Sequence, residues 1–269
     1  MISLKWNKKG EYVPATGLRT RKSSIYTPNQ SEDFKISRSK LSDFRKCRKC
    51  FYLDRVRGLK YPGIPGWTLN ALTDALLKKE FDECREKQIP HRLMEAYGLE
   101  HVVPFKHEEM DHWRDSTHHG LSTRFKSTNI ILHGGVDDIW WDTRSENVIV
   151  VDYKSQAADK QVTTENYLVP IYRKGYAEQL DFYAYLLQEM GFDVSDIAYF
   201  YVCNADRQAP GFNGKLTFHE TLVPYPWSSD WIEPAVEEMI RTLNSTQVPD
   251  SNRSCENCAY ARQRGDSTD

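Results

Sequence analysis

The sequence predicts an α/β fold in which a mixed central sheet is flanked by helices. Three observations lead there. Apolar residues recur every three or four positions in two early segments and again over 172–190. Residues 130–154 contain two strand-like stretches separated by a run of turn-formers. Two further strand-like stretches and a helical one follow residue 190, so strands and helices alternate.

Taken in order, residues 1–36 mix Gly10, Pro14, Gly17 and Pro28 with short alternating stretches such as Ser3-Leu4-Lys5-Trp6, which suggests an arm or hairpin. From Ser37, the spacing of Leu41, Phe44, Cys47, Cys50 and Phe51 predicts a helix, with serines available as caps. After the turn Tyr61-Pro62-Gly63-Ile64-Pro65-Gly66, residues 67–88 place Leu69, Leu72, Leu76 and Phe81 on one helical stripe. Residues 90–128 carry no clear period and are expected to hold short helices or loops. Residues 130–141 and 148–154 read as two strands joined by Asp142-Thr143-Arg144-Ser145-Glu146-Asn147. A strongly amphipathic helix over 172–190, strands over 198–203 and 216–223, and a helix over 230–245 precede a cysteine-rich tail. The expected domain plan is a basic arm over 1–36, one domain over 37–258 with a helical insertion at about 67–128, and a tail over 259–269.

The chain has 269 residues, 39% of them hydrophobic, enough for a substantial core, while 28% are charged. It contains no uncharged stretch approaching the roughly 18 residues of a membrane helix, and its first residues lack the apolar run of a secretory signal, so a cytoplasmic protein is expected. The net charge of -2 hides an uneven distribution. Residues 1–60 carry 16 Lys and Arg against 5 Asp and Glu, a net of +11, and the rest of the chain carries -13. A basic segment of this kind attracts a phosphate backbone, although a solvated charged arm has the same composition.

The most informative stretch is Gly134-Gly135-Val136-Asp137 followed by Val151-Asp152-Tyr153-Lys154. If the hairpin turns between Arg144 and Ser145, residues whose numbers add to 289 lie opposite one another, and Asp137 faces Asp152. Opposed strand residues have Cβ atoms about 5 Å apart, close enough for both carboxylates to hold one divalent cation. The same rule puts Gly135 opposite Lys154, leaving open space beside the lysine. Hard oxygen ligands select Mg²⁺ or Mn²⁺, and the backbone carbonyl of Tyr153 is a further possible ligand. Lys154, on the same face as Asp152, is placed to orient an attacking water. A bare Asp-x-Lys is more often a surface hairpin with a solvated lysine, so its context decides.

That context is Gly134-x-x-Asp137, Asp152-x-Lys154 and then Gln179-x-x-x-Tyr183 on a helix. In order and spacing these motifs resemble the RecB-like branch of the PD-(D/E)XK nucleases, which includes CRISPR adaptation exonucleases and helicase-nuclease subunits. The resemblance runs from about residue 37 to 258. It implies a restriction-endonuclease-like core, a DNA substrate cut as single strands or from ends, and catalysis by Asp137, Asp152 and Lys154 with Gln179 and Tyr183 supporting the site. It also admits a helicase or other DNA-processing protein as partner. Such nucleases usually carry a His ligand on an early helix; here Leu72-Thr73-Asp74-Ala75-Leu76 puts Asp74 in that place. Aspartate also ligates Mg²⁺ or Mn²⁺, so the expected metal set is Asp74, Asp137, Asp152 and Tyr153. His101, His107, His112, His118 and His119 lie outside that helix and are not expected to bind metal.

Cys47-x-x-Cys50 and Cys255-x-x-Cys258 form two paired motifs, which in a reducing compartment point to a metal site rather than disulfides. Their spacing alone suggests zinc. The family resemblance instead implies an iron-sulfur cluster spanning an early Phe-x-x-Cys helix, here Phe44 to Cys47, and the late cysteines. Both remain open. Cys84 and Cys203 stand alone on apolar segments and are expected in the core. The function expected is thus a metal-dependent deoxyribonuclease. The alternative is a noncatalytic nucleic-acid-binding or assembly protein that keeps the nuclease fold and the cysteine-metal site, and a cysteine-metal redox sensor is a third.

Overall fold

The computed structural model describes residues 3–63 and 66–267. Met1 and Ile2 of the expected arm, Ile64 and Pro65 of the expected turn, and the last two residues of the expected tail lie outside the described residues. In chain order the elements are β1 (Phe34–Ser37), α1 (Arg38–Lys46), α2 (Arg48–Arg55), α3 (Thr68–Lys87), α4 (Arg92–Ala96), β2 (Val102–Pro104), α5 (Met110–Arg114), β3 (Leu121–Arg124), β4 (Ile130–Gly134), β5 (Asp138–Asp142), β6 (Asn147–Gln156), α6 (Thr164–Tyr167), α7 (Lys174–Glu189), β7 (Ile197–Ala205), β8 (Phe218–Pro226), α8 (Ile232–Leu243) and α9 (Glu256–Asp266). They form a mixed α/β fold with two sheets, of order β1-β4-β3 and β2-β5-β6-β7-β8.

The chain divides into two compact units: residues 1–66, 124–131 and 231–269, and residues 67–123 and 132–230. The second unit contains the five-stranded sheet. There β6 pairs antiparallel with β5 and parallel with β7, which requires the crossover supplied by α7. β6 is a central strand with six consecutive buried residues, Val148 to Tyr153, apolar except for Asp152 and the phenol of Tyr153. Leu77 and Phe81 of α3 pack with Trp140, Ile149, Val151, Tyr153 and Tyr201 in a core rich in aromatic rings. Phe81 alone lies within 5.7 Å, ring to ring, of Trp140, Tyr153 and Tyr201.

In the first unit, Asp54 is buried and surrounded by cations: Arg19 Nε donates to it at 2.6 Å, Arg55 Nε at 3.0 Å, and Lys40 Nζ lies 3.0 Å away. A buried carboxylate persists only when paired in this way. Part of the basic amino-terminal charge therefore serves to neutralise Asp54. Asn252 Nδ2 donates to the carbonyl of Lys46 at 2.8 Å, tying the end of α1 to the late cysteine segment.

Several expectations are corrected. The segment 130–141 is not one strand: β4 ends at Gly134, β5 begins at Asp138, and Gly135-Val136-Asp137 connects them. The helix predicted from Ser37 is two helices that meet at Cys47, whose extended backbone (φ -157°) breaks the first and caps the second. Leu69, Leu72 and Leu76 are exposed (54, 54 and 48%), because α3 turns Leu77, Phe81 and Arg85 towards the sheet instead. Cys203 is buried in the core as expected, but Cys84 is only half-buried. The tail carries α9, a helix that the sequence reading left without structure.

Candidate active site

The register of the central hairpin is the one that the turn residues predict. Asp138 pairs with Val151, Ile139 with Val150 and Trp141 with Val148, so numbers adding to 289 lie opposite each other. Asp137 stands one residue beyond the end of this ladder. There its Oδ2 accepts the backbone N–H of Tyr153 at 2.9 Å, which fixes the carboxylate beside Asp152 on the neighbouring strand. The ladder does not reach Gly135, and the expected open space beside Lys154 is not made by that glycine. A Cβ on Gly135 would stand 2.5 Å from Ser116 Cβ, so the glycine is there because the loop before β3 packs against it. Gly120, at φ +94°, is required for the same reason, since a Cβ there would meet the carbonyl oxygen of Gly134 at 2.7 Å.

Asp152 is fully buried, and its Oδ1 has no hydrogen-bond partner among the described residues. Its Oδ2 forms an ion pair with Lys154. Lys154 Nζ also lies 4.9 Å from the centroid of the Tyr176 ring on α7, a cation–π contact that holds the ammonium over the sheet. Burial, and then the negative charge of Asp152, push the carboxyl of Asp137 up to about 7, against the opposing pull of Lys154 and Lys78. Asp74 is also raised, first by burial and then by the charge of Asp137. It is held by Lys78 one turn along α3, with Nζ–Oδ2 3.0 Å. Asp74, Asp137 and Asp152 therefore share one electrostatic environment, although they do not bring three oxygens within 4.8 Å of one another.

Tyr153 faces the opposite side of the sheet from Asp152 and Lys154. Its hydroxyl donates to Oδ2 of Asp138 at 2.7 Å, and Oδ1 of Asp138 receives Arg85 and the N–H of Ile139. Gln179 Nε2 donates to the hydroxyl of Tyr183 at 3.3 Å, so the two residues one turn apart on α7 are joined to each other. Tyr176 belongs to the same helical face, three residues before Gln179 and seven before Tyr183; that spacing could have identified it in the sequence. Tyr167 and Arg173 could not have been found that way. The charge of Asp152 adds to burial in raising the phenol of Tyr167, and the guanidinium of Arg173 stacks 4.5 Å from the Tyr167 ring centroid.

The second candidate centre lies in the first unit. The four sulfurs of Cys47, Cys50, Cys255 and Cys258 all lie within 4.8 Å of one another, the single group of three or more metal-type donors of this kind among the described residues. Cys50 and Cys258 are separated by 3.3 Å, Cys50 and Cys255 by 3.5 Å, and Cys47 and Cys258 by 3.8 Å. Each motif opens a helix. Cys47 caps α2 and Cys255 caps α9, so the second cysteine of each pair lies in the first turn, and there burial first, with neighbouring thiols, pushes the thiols of Cys50 and Cys258 up. Burial opposes ionisation of Cys47, but the backbone groups of Cys50 and Asn252 and neighbouring thiols bring it down to about 7. His101, His107, His112, His118 and His119 join no such group: His107 stacks on Trp113, and His112 on His119.

A carboxylate just before one strand beside a second carboxylate on the next, followed after one residue by a lysine, is the arrangement expected of one class of nucleases, and comparison of the whole sequence agrees. The family model described as the PD-(D/E)XK nuclease superfamily matches residues 64–263, and the chain belongs to this superfamily. No curated protein matches it. Among solved structures, it is similar to one named "Putative exonuclease", from Eubacterium rectale, with 13% identity and a TM-score of 0.42 over 84% of this chain and 87% of that one. It is also similar to the solved protein SSO0001, with 13% identity and a TM-score of 0.32 over 87% of each chain. No helix among the described residues is long and apolar enough to cross a membrane.

Proposed function

We propose that this protein is a metal-dependent deoxyribonuclease whose centre is Asp137, Asp152 and Lys154. The observation that carries the proposal is the fully buried Asp152, with one oxygen lacking any hydrogen-bond partner, beside a second carboxylate whose ionisation it opposes. Such a pair is costly without a cation, and hard oxygen donors fit Mg²⁺ or Mn²⁺. Asp137, Asp152 and the Tyr153 carbonyl would hold it, and Asp74 would join on releasing Lys78. A bound divalent ion supplies charge neutralisation at the phosphate and eases deprotonation of water.

The chain's own groups do the rest. Lys154, aimed by Asp152 and Tyr176, donates a hydrogen bond to the attacking water or to a nonbridging phosphate oxygen. The water oxygen bonds to phosphorus, a bridging P–O bond breaks, and the departing alkoxide takes up a proton, leaving a phosphomonoester and an alcohol. Gln179 and Tyr183 present a joined amide and phenol from α7, suited to hold the substrate strand.

At the cysteines, the sulfur spacing favours one tetrahedral ion over a cluster. Four thiolates about 2.3 Å from a zinc lie roughly 3.8 Å from each other, whereas several irons spread their thiolates further apart. Three separations of 3.3 to 3.8 Å, with all six inside 4.8 Å, support zinc over the iron-sulfur cluster that the resemblance implies.

The test is to strip divalent ions from the purified protein without removing the cysteine-bound metal, then add Mg²⁺ or Mn²⁺ to reactions with end-labelled DNA. Cutting that returns with either ion supports the reading. Failure of fully folded protein to cut any single- or double-stranded DNA would refute it and favour a binding role.

A further inference from the structure

The first unit contains a groove that the catalytic reading does not use. It has a volume of about 930 Å³ and lies between α2, the 59–62 segment and α9. Leu53, Leu59 and Pro62 line it together with Tyr61 and Tyr260, the last of them 65% exposed. Lys49, Lys60, Arg262 and Arg264 line it, and no carboxylate does. Among the described residues no carboxylate pairs with Lys49, Lys60 or Arg262, whereas cations such as Lys40, Arg92 and Lys126 are matched with acids at Asp54, Glu220 and Glu233. Arg264 is oriented by Tyr260, donating to its hydroxyl at 3.3 Å.

We propose that this groove binds an unpaired nucleic-acid strand, with bases on the two tyrosines and phosphates on the four cations. Four cations outweigh the net charge of -2 that a zinc held by four thiolates would carry beside them, Cys50 and Cys258 being part of the lining, and the excess alone would suit any polyanion. The tyrosines with the apolar lining select a polyanion that also carries flat apolar faces, and a single strand has both where a duplex hides its base faces. An acidic peptide offers charge without those faces. The choice of nucleic acid over another aromatic polyanion rests on the nuclease reading of the second unit.

The experiment uses the full, metal-replete chain carrying Lys154→Ala, so that binding is measured without cutting. A fluorescent 20-nucleotide strand is titrated at several salt concentrations, against a blunt duplex and a polyglutamate peptide. The single strand should bind at least tenfold more tightly than the duplex. Lys60→Gln with Arg262→Gln should weaken it at least tenfold and flatten the dependence of log affinity on log salt by about 1.4, the contribution of two phosphate contacts. Tyr260→Ala should weaken binding at least fivefold while leaving that slope unchanged. A strand containing 5-iodouracil should cross-link to Tyr61 or Tyr260, mapped by mass spectrometry. All these residues are at least partly exposed, and circular dichroism confirms that each variant folds. Affinity unchanged within twofold in the variants, or polyglutamate bound as tightly as the strand, would overturn the proposal. Because cutting is scored separately on the unsubstituted chain, a protein that binds here but never cuts would refute the nuclease reading and leave the groove standing.

Discussion

Tyr153 holds two adjacent aspartates by two different groups: its backbone N–H donates to Asp137 and its hydroxyl to Asp138, on opposite faces of the sheet. Only the first contact touches the proposed centre. Tyr153→Phe should therefore destabilise the protein by about 1–2 kcal/mol, the cost of leaving a buried acceptor short of a donor, while cutting falls less than threefold. Arg85→Met, which leaves Asp138 as a buried charge without its cation, should cost about 3–5 kcal/mol. Urea unfolding measures both; equal effects from the two substitutions would contradict the account of this network.

Gly135→Ala should affect catalysis out of proportion to its size. A methyl there collides with backbone as well as side-chain atoms of Ser116, so the connection to Asp137 must shift. The expected cost is about 1–3 kcal/mol with at least a tenfold loss of activity. Ser116→Gly should not rescue it, because Ser116 Cα and N lie 2.6 and 2.7 Å from the added carbon. Recovery of activity in the double variant would show that only the serine side chain matters.

The raised carboxyl of Asp137 gives a pH signature. A folded-state value near 7, above the ordinary carboxylate range, means that folding takes up a proton. The metal-free protein therefore gains stability from this group at low pH and loses it as pH rises from about 4 through 7. Divalent ions displace that proton, so Mg²⁺ or Mn²⁺ affinity should rise with pH up to about 7 and then level off. Calorimetric titration with Mn²⁺ from pH 5.5 to 8.5 reads this; a flat profile would contradict it.

α9 buries no side chain of its own, and two of the four clustered cysteines begin it, Cys255 as its cap and Cys258 in its first turn. Its attachment should depend on the bound ion. Cys258→Ser, or chelation, should expose residues 251–267 to limited proteolysis while the rest of the chain resists. Metal analysis should find one zinc per chain and no iron in colourless protein. Absorption near 400 nm with stoichiometric iron would contradict the single-ion reading.

The sequence made the hairpin legible because the run of turn-formers Asp142–Asn147 is centred between two strand-like stretches and so sets their register. The cysteine pairs were legible because their spacing has few other uses. What stayed hidden depends on contacts between distant segments. The break at 135–137 is packed by Ser116 and Gly120, and only the pair Gly134-Gly135 marks it locally. The leucines of α3 keep a helical period yet face outward, since periodicity identifies a face and only packing decides which face is covered. Arg85 acts across the fold and carries no motif of its own.

The most direct measurement compares the wild-type chain with Lys154→Ala on end-labelled single- and double-stranded DNA, in Mg²⁺, in Mn²⁺ and without either. Among the described residues the ion-pair and ring partners of Lys154 are Asp152 and Tyr176, so the variant should fold and still bind Mn²⁺, yet cut at least a hundredfold more slowly. A variant that cuts as fast as wild type, or a wild type that cuts equally without divalent metal, would contradict the assignment of this centre.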